Sequence, residues 1–176
     1  MALWILSFCI IAIETWGSIY FFDAFLKKKD TGWLQRCRYV VLYFANGAAA
    51  VLGEQLDLMG IKVLLIVSVS IAFCAVFYRA DWKQCIFFSM LNYSLLFLAD
   101  LFFLQIENLF MPSKGIPHLF LPVKKMVWLC LVFLLRRMWK GRNNYGELSH
   151  KEWLKFFMIP LLTMASMLLM FFCNSA

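Results

Sequence analysis

The stretch RRMWKGRNNYGELSHKEWLK, residues 136–155, is the longest strongly polar segment of a 176-residue chain, and apolar runs flank it at 126–135 and 156–173. Its cations are Arg136, Arg137, Lys140, Arg142, Lys151 and Lys155. Ser149 and Glu152 have the S-x-x-E spacing of a capping box, which satisfies the first free backbone N–H groups of a helix. A new helix is therefore expected near His150, with Trp153 at its entrance. A basic connector between apolar runs belongs on the cytosolic side of a bilayer. That placement sets the sidedness of every other connector.

Working outward, 64% of the residues are hydrophobic and 15% are charged, against about 25% charged in an average soluble domain. With Phe, Trp and Met abundant and Gly and Pro sparse, this is the profile of an all-α, polytopic transmembrane bundle. One domain is expected, with six spans at about 3–26, 39–58, 61–78, 84–106, 119–139 and 154–173. A helix crosses a bilayer with roughly 20 residues at about 1.5 Å each. Spans two and three are short once their charged ends are set aside. Pro112 and Pro117 break the connector between spans four and five, and Pro160 is placed to kink span six.

The net charge of +7 does not signal nucleic acid, because it sits in short connectors beside apolar runs. The connectors after spans one, three and five hold Lys27, Lys28, Lys29, Arg36, Arg38, Arg79, Lys83 and the six cations of the opening stretch. The opposite side holds only Lys62, Lys114, Lys124 and Lys125. The expected location is the cell membrane, multi-pass, with the N-terminus outside. The first apolar run has no basic segment before it, so it reads as a retained span rather than a cleaved signal peptide.

Several polar residues fall inside the apolar runs. A charge at the centre of a span costs about 2.5–3.5 kcal/mol on the insertion scale, so it faces the bundle interior, finds a partner or becomes neutral. By helical rise, Asp100 lies roughly 9 Å and Lys124 roughly 7–8 Å below the same outer edge of antiparallel spans. Asp100 is therefore expected to pair with Lys124 or Lys125, forming a polar floor beneath an outward-facing ligand pocket; alternatively the lysines snorkel along their own stems. Glu14, near mid-membrane, reads either as a proton-coupled carboxylate or as a neutral acid hydrogen-bonded to another helix. Asn46 and Asn92 read as interhelical glue, bonding each other or Ser68 and Ser70.

No paired carboxylates, H-E-x-x-H, G-x-S-x-G or phosphate loop occur, so no catalytic residue, cofactor or metal site is expected. The six cysteines, Cys9, Cys37, Cys74, Cys85, Cys130 and Cys173, are dispersed and read as buried free thiols. His150 reads as a first-turn helix residue.

Four features together resemble a known layout. Glu14 sits centrally in a first span that runs into a basic loop. YRADWKQC follows at 78–85, LPVKKMVWLCLVFLLRRMWK at 121–140 and LSHKEWLKFFMIPLL at 148–162. The whole pattern resembles the N-terminal membrane region of receptor histidine kinases of the peptide-pheromone (accessory gene regulator) class, whose kinase domains are of the GHKL type. The resemblance implies a two-component, quorum-sensing receptor. An extracellular peptide would bind the outward loops and upper pocket, a homodimer would form, and the helices would relay a shift. In that family a kinase domain follows; here no phosphoacceptor helix or ATP-binding motif is present. The chain is accordingly expected to be a non-enzymatic, truncated sensor module, and no ligand contact is carried over from the family. Competing readings are a six-span substrate-binding subunit of an energy-coupling-factor transporter, whose termini would be cytosolic, a membrane peptidase using Cys37 or Cys85 with His150, and an orphan membrane protein.

Overall fold

The computed structural model describes residues 2–29, 32–55, 59–110 and 121–139, with 158 and 162. The elements run α1 (Ala2–Phe25), β1 (Lys27–Lys28), α2 (Trp33–Gln55), α3 (Met59–Phe77), β2 (Tyr78–Arg79), α4 (Trp82–Phe110) and α5 (Leu121–Trp139). The described residues are 91% helical. Two stretches, Ser7–Phe25 and Trp82–Phe103, are long and apolar enough to cross a membrane, and Ile61–Phe77 is a shorter apolar helix. The expected sixth span apart from residues 158 and 162, the capping box at Ser149 and Glu152, His150, Lys114 and Cys173 lie outside the described residues.

Charge alone did not mark the helix ends. Arg36 and Arg38, read as loop residues, belong to α2, and Lys83 and Glu107 belong to α4. The reason is local: Arg38 turns inward onto an acid, so a cation near the start of a helix need not face water. Gly32 adopts φ 52°, just before α2. This left-handed conformation suits a residue without Cβ.

Side-chain contacts fix the directions of the helices. Glu14 meets Lys125, Gly17 meets Trp128 and Tyr20 meets Arg136. Both members of these pairs rise together, so α1 and α5 are parallel neighbours. Asn92 meets Ser18 and Phe88 meets Phe25, so α4 runs antiparallel to α1. The contact between Gly17 and Trp128 is close: a Cβ at Gly17 would collide with Trp128 Cη2 and Cζ3 and with Leu129 Cδ2. Glycine lets the indole lie directly against the backbone of α1, the close approach that a small residue permits between packed helices.

The buried core lies in the half of the bundle nearest β1 and β2. It joins Phe21 and Phe22 of α1, Phe73 and Phe77 of α3, Phe88 of α4 and Trp128 of α5. Its rings pack edge-on or tilted, as for Phe21 with Phe88 at 6.4 Å and Phe22 with Tyr78 at 6.0 Å, within the range at which aromatic pairs attract.

The connectors after α1 and α3 pair as a two-residue antiparallel ladder, with Lys27 opposite Arg79 and Lys28 opposite Tyr78. Lys29 N–H donates to Phe77 O at 3.0 Å, Gln35 Nε2 donates to Lys29 O at 2.9 Å and to Phe77 O at 3.0 Å, and Lys29 Nζ donates to Ala75 O. The donors to Ala75 O and Phe77 O satisfy carbonyls that the last turn of α3 cannot use, and a lysine there also complements the negative helix end.

Candidate functional site

Two charged nodes lie on α1, nine residues apart at Glu14 and Asp23, or about 13 Å along the helix. Each ties α1 to a different set of elements.

At the first node, Lys125 Nζ of α5 lies 2.8 Å from Glu14 Oε1 and 3.3 Å from Asp100 Oδ2 of α4. One ammonium thus bridges carboxylates on two other helices. The Lys125 side chain is only 7% exposed, against 30% for Glu14 and 38% for Asp100. The cation is sunk between the helices while each acid keeps an accessible edge. Lys125 does not snorkel; it is oriented inward by both acids. Lys124, the adjacent residue, is half-buried and points about 100° away around the helix. The sequence reading brought Asp100 to this lysine pair. It did not bring Glu14, for which it names no partner and which meets Lys125.

One turn deeper, Asn92 Nδ2 donates to Ser18 Oγ at 3.0 Å, not to Asn46, Ser68 or Ser70. Ser70 instead bonds the Tyr93 hydroxyl. Asn92 Oδ1, Thr15 Oγ1, Asn46 Oδ1 and Trp128 Nε1 are buried without a hydrogen-bond partner among the described residues.

The second node was missed by sequence reasoning. Arg38 Nη1 and Nη2 of α2 donate to Asp23 Oδ1 and Oδ2 at 2.7 and 2.9 Å. The Tyr78 hydroxyl donates to Oδ1 at 2.8 Å, and Lys28 Nζ lies 3.1 Å from Oδ2. The bidentate fork is the strongest common geometry for this pair. Burial works against the Arg38 charge, and the hydrogen bond and charge of Asp23 more than offset it, so the guanidinium pKa is raised. Asp23 interrupts an apolar run in the sequence, which is the one available signal; its partners lie 15 and 55 residues away.

At the far end from this node, an open groove of about 570 Å³ runs between α1 and α2, lined by Phe8, Ile11, Tyr43, Phe44, Gly47 and Val51 among others. The remaining thiols are scattered: Cys9, Cys37, Cys74, Cys85 and Cys130 are all unbridged. Among the described residues no three His, Cys, Asp or Glu gather as a metal-binding group. The arrangement offers charge and hydrogen bonds in an apolar setting, suited to binding and to coupling helices. No family model, curated protein or solved structure matches the chain.

Proposed function

We propose that the chain is a multi-pass membrane receptor module, with its basic end in the cytosol and its N-terminus outside, that binds an extracellular peptide and passes a helix shift inward. The observation that carries this reading is the bridge of Lys125 to Glu14 and Asp100. A three-helix ion cluster inside an apolar bundle is costly to bury, and such groups commonly mark ligand or relay positions. The two acids keep exposed edges, and the α1–α2 groove opens on residues nearer the N-terminus of α1. A ligand engaging either acid would change the balance of charge on Lys125 and so the contact between α1, α4 and α5.

Two further observations support the membrane placement. Large apolar side chains are exposed on every described helix, including Phe8, Phe44, Leu64, Phe102 and Phe133. A surface of that kind suits lipid and not water. Lys27, Lys28, Lys29, Arg36, Arg79 and Arg136 also gather at one end of the bundle, as the positive-inside bias requires.

The test is peptide binding to the full chain in lipid nanodiscs, using peptides fractionated from culture medium of the source cells. A saturable rise in melting temperature that Lys125→Met abolishes supports the receptor. Absence of any saturable peptide effect on the folded protein contradicts it.

A further inference from the structure

The groove between α1 and α2 continues past Ile11. It shares Tyr43 and Phe44 with a smaller hollow of about 310 Å³, lined also by Ala12, Thr15, Trp16 and Val40. The two make one trough along the seam between the helices. None of the residues lining either part is charged, and Phe8, Phe44 and Val51 stand exposed at its rims. Gly47 lies in the wall. A Cβ there meets nothing within 4 Å, so the trough is open space at that point.

At its inner part the seam carries a polar spot that the bundle leaves unanswered. The helices are antiparallel, with Asp23 paired to Arg38 near the turn and Phe8 sharing the groove with Val51. Thr15 stands eight residues before Asp23, and Asn46 stands eight residues after Arg38. Each is therefore about 12 Å from that ion pair, at one level. Thr15 is 3% exposed and Asn46 8%. Among the described residues neither Thr15 Oγ1 nor Asn46 Oδ1 has a hydrogen-bond partner. A buried polar atom left this way is destabilising, and a group that pairs with it is bound the more tightly.

The two atoms say which group. Asn46 Oδ1 can only accept, whereas Thr15 Oγ1 can donate or accept. One hydroxyl answers both, donating to Asn46 and accepting from Thr15. The hydrocarbon chains of bilayer lipids bring no donor to this depth. A carboxylate or an ammonium would find no opposite charge among the lining residues.

We propose that the α1–α2 trough binds a neutral long-chain alcohol, with its hydroxyl between Thr15 and Asn46 and its hydrocarbon chain along Ile11, Phe44, Gly47 and Val51. This goes beyond peptide reception. It rests on the packing of α1 against α2 and not on the Lys125 bridge.

The test uses the full chain in mild detergent and a decanol with a photoreactive diazirine on its chain. Peptide mass spectrometry locates the label, which should fall on the trough residues of α1 and α2. Decanol should compete roughly five-fold more strongly than decane, the share of one hydrogen bond, and decanoate should compete no better than decane. Thr15→Val keeps the side chain's shape and removes an unpartnered hydroxyl, so it should erase that preference without lowering the melting temperature. Gly47→Leu fills open space and suits a helix better than glycine. It should abolish labelling in a protein that melts no lower than the wild type. Phe133→Leu, on α5, should change neither readout. Equal competition by decanol and decane, or a preference that survives Thr15→Val, overturns the proposal. Stronger competition by decanoate assigns the trough to an anionic amphiphile and overturns the alcohol. Label spread evenly over the exposed helix faces overturns the site. Absence of label in a dimer that Gly47→Leu breaks apart assigns the trough to a second copy, and also overturns the alcohol. Failure of peptide binding in nanodiscs changes none of these readouts, which separates the two readings.

Discussion

Arg38 donates to both carboxylate oxygens of Asp23, at 2.7 and 2.9 Å, across the seam between the first turns of α2 and the last turn of α1. Both side chains are largely buried, at 9% and 14% exposure. Removing one partner of such a pair leaves the other charge stranded, at a cost of about 3–5 kcal/mol. Asp23→Asn should fall near the low end, because the amide oxygen still accepts from Tyr78. Tyr78→Phe should cost less, about 1.5–3 kcal/mol, the share of one hydrogen bond to a charged group. Reversible unfolding in mixed micelles measures both, and a reversed order contradicts the hub.

Lys125 bridges two acids unequally. The Glu14 contact is shorter and less exposed than the Asp100 contact. Double-mutant cycles with Lys125→Met should therefore give a larger coupling with Glu14→Gln than with Asp100→Asn, within the roughly 0.5–3 kcal/mol typical of contacting residues. Equal or inverted couplings would show that Asp100 is the principal partner.

Gly17 admits the Trp128 indole against α1. Gly17→Ala drives a methyl group into the far edge of that ring, and overpacking of this kind costs about 1–3 kcal/mol. Two of the clashing atoms, Trp128 Cη2 and Cζ3, do not exist in phenylalanine, while the third, Leu129 Cδ2, ends a flexible side chain. Trp128→Phe should consequently restore part of the stability lost in Gly17→Ala, although it destabilises the wild type. A double variant no better than Gly17→Ala alone contradicts the close approach.

The helices were legible because long apolar runs leave few other structures in reach. The expected starts and ends fall within a few residues of α1, α3 and α5, whereas α2 begins six residues earlier than expected and α4 runs on to Phe110. In both cases a charged residue was read as loop when the helix continued beneath it. Depth along the helices brought Asp100 to the level of the lysine pair. It left Glu14 unassigned, because sequence order does not say that α1 lies beside α5. The ladder and the Asp23 hub were illegible for a related reason. Two-residue strands such as KK and YR carry no alternating pattern, and Asp23 finds Tyr78 through tertiary packing alone.

The thiols make a further prediction. Cys74 and Cys85 are buried, whereas Cys9 and Cys130 are exposed on helix surfaces. In detergent at neutral pH, a small maleimide should react with Cys9 and Cys130 well before Cys74 and Cys85. Early reaction of Cys74, followed by peptide mass spectrometry, would contradict the packing of α3 against α4.

Sidedness is the centre of the account, and impermeant maleimide labelling of single-cysteine variants measures it most directly. In a cysteine-free background, Lys27→Cys should be shielded in intact cells and label only after permeabilisation, while Lys62→Cys should label in intact cells. The opposite pattern, or labelling of both without permeabilisation, would contradict a bundle whose basic end faces the cytosol.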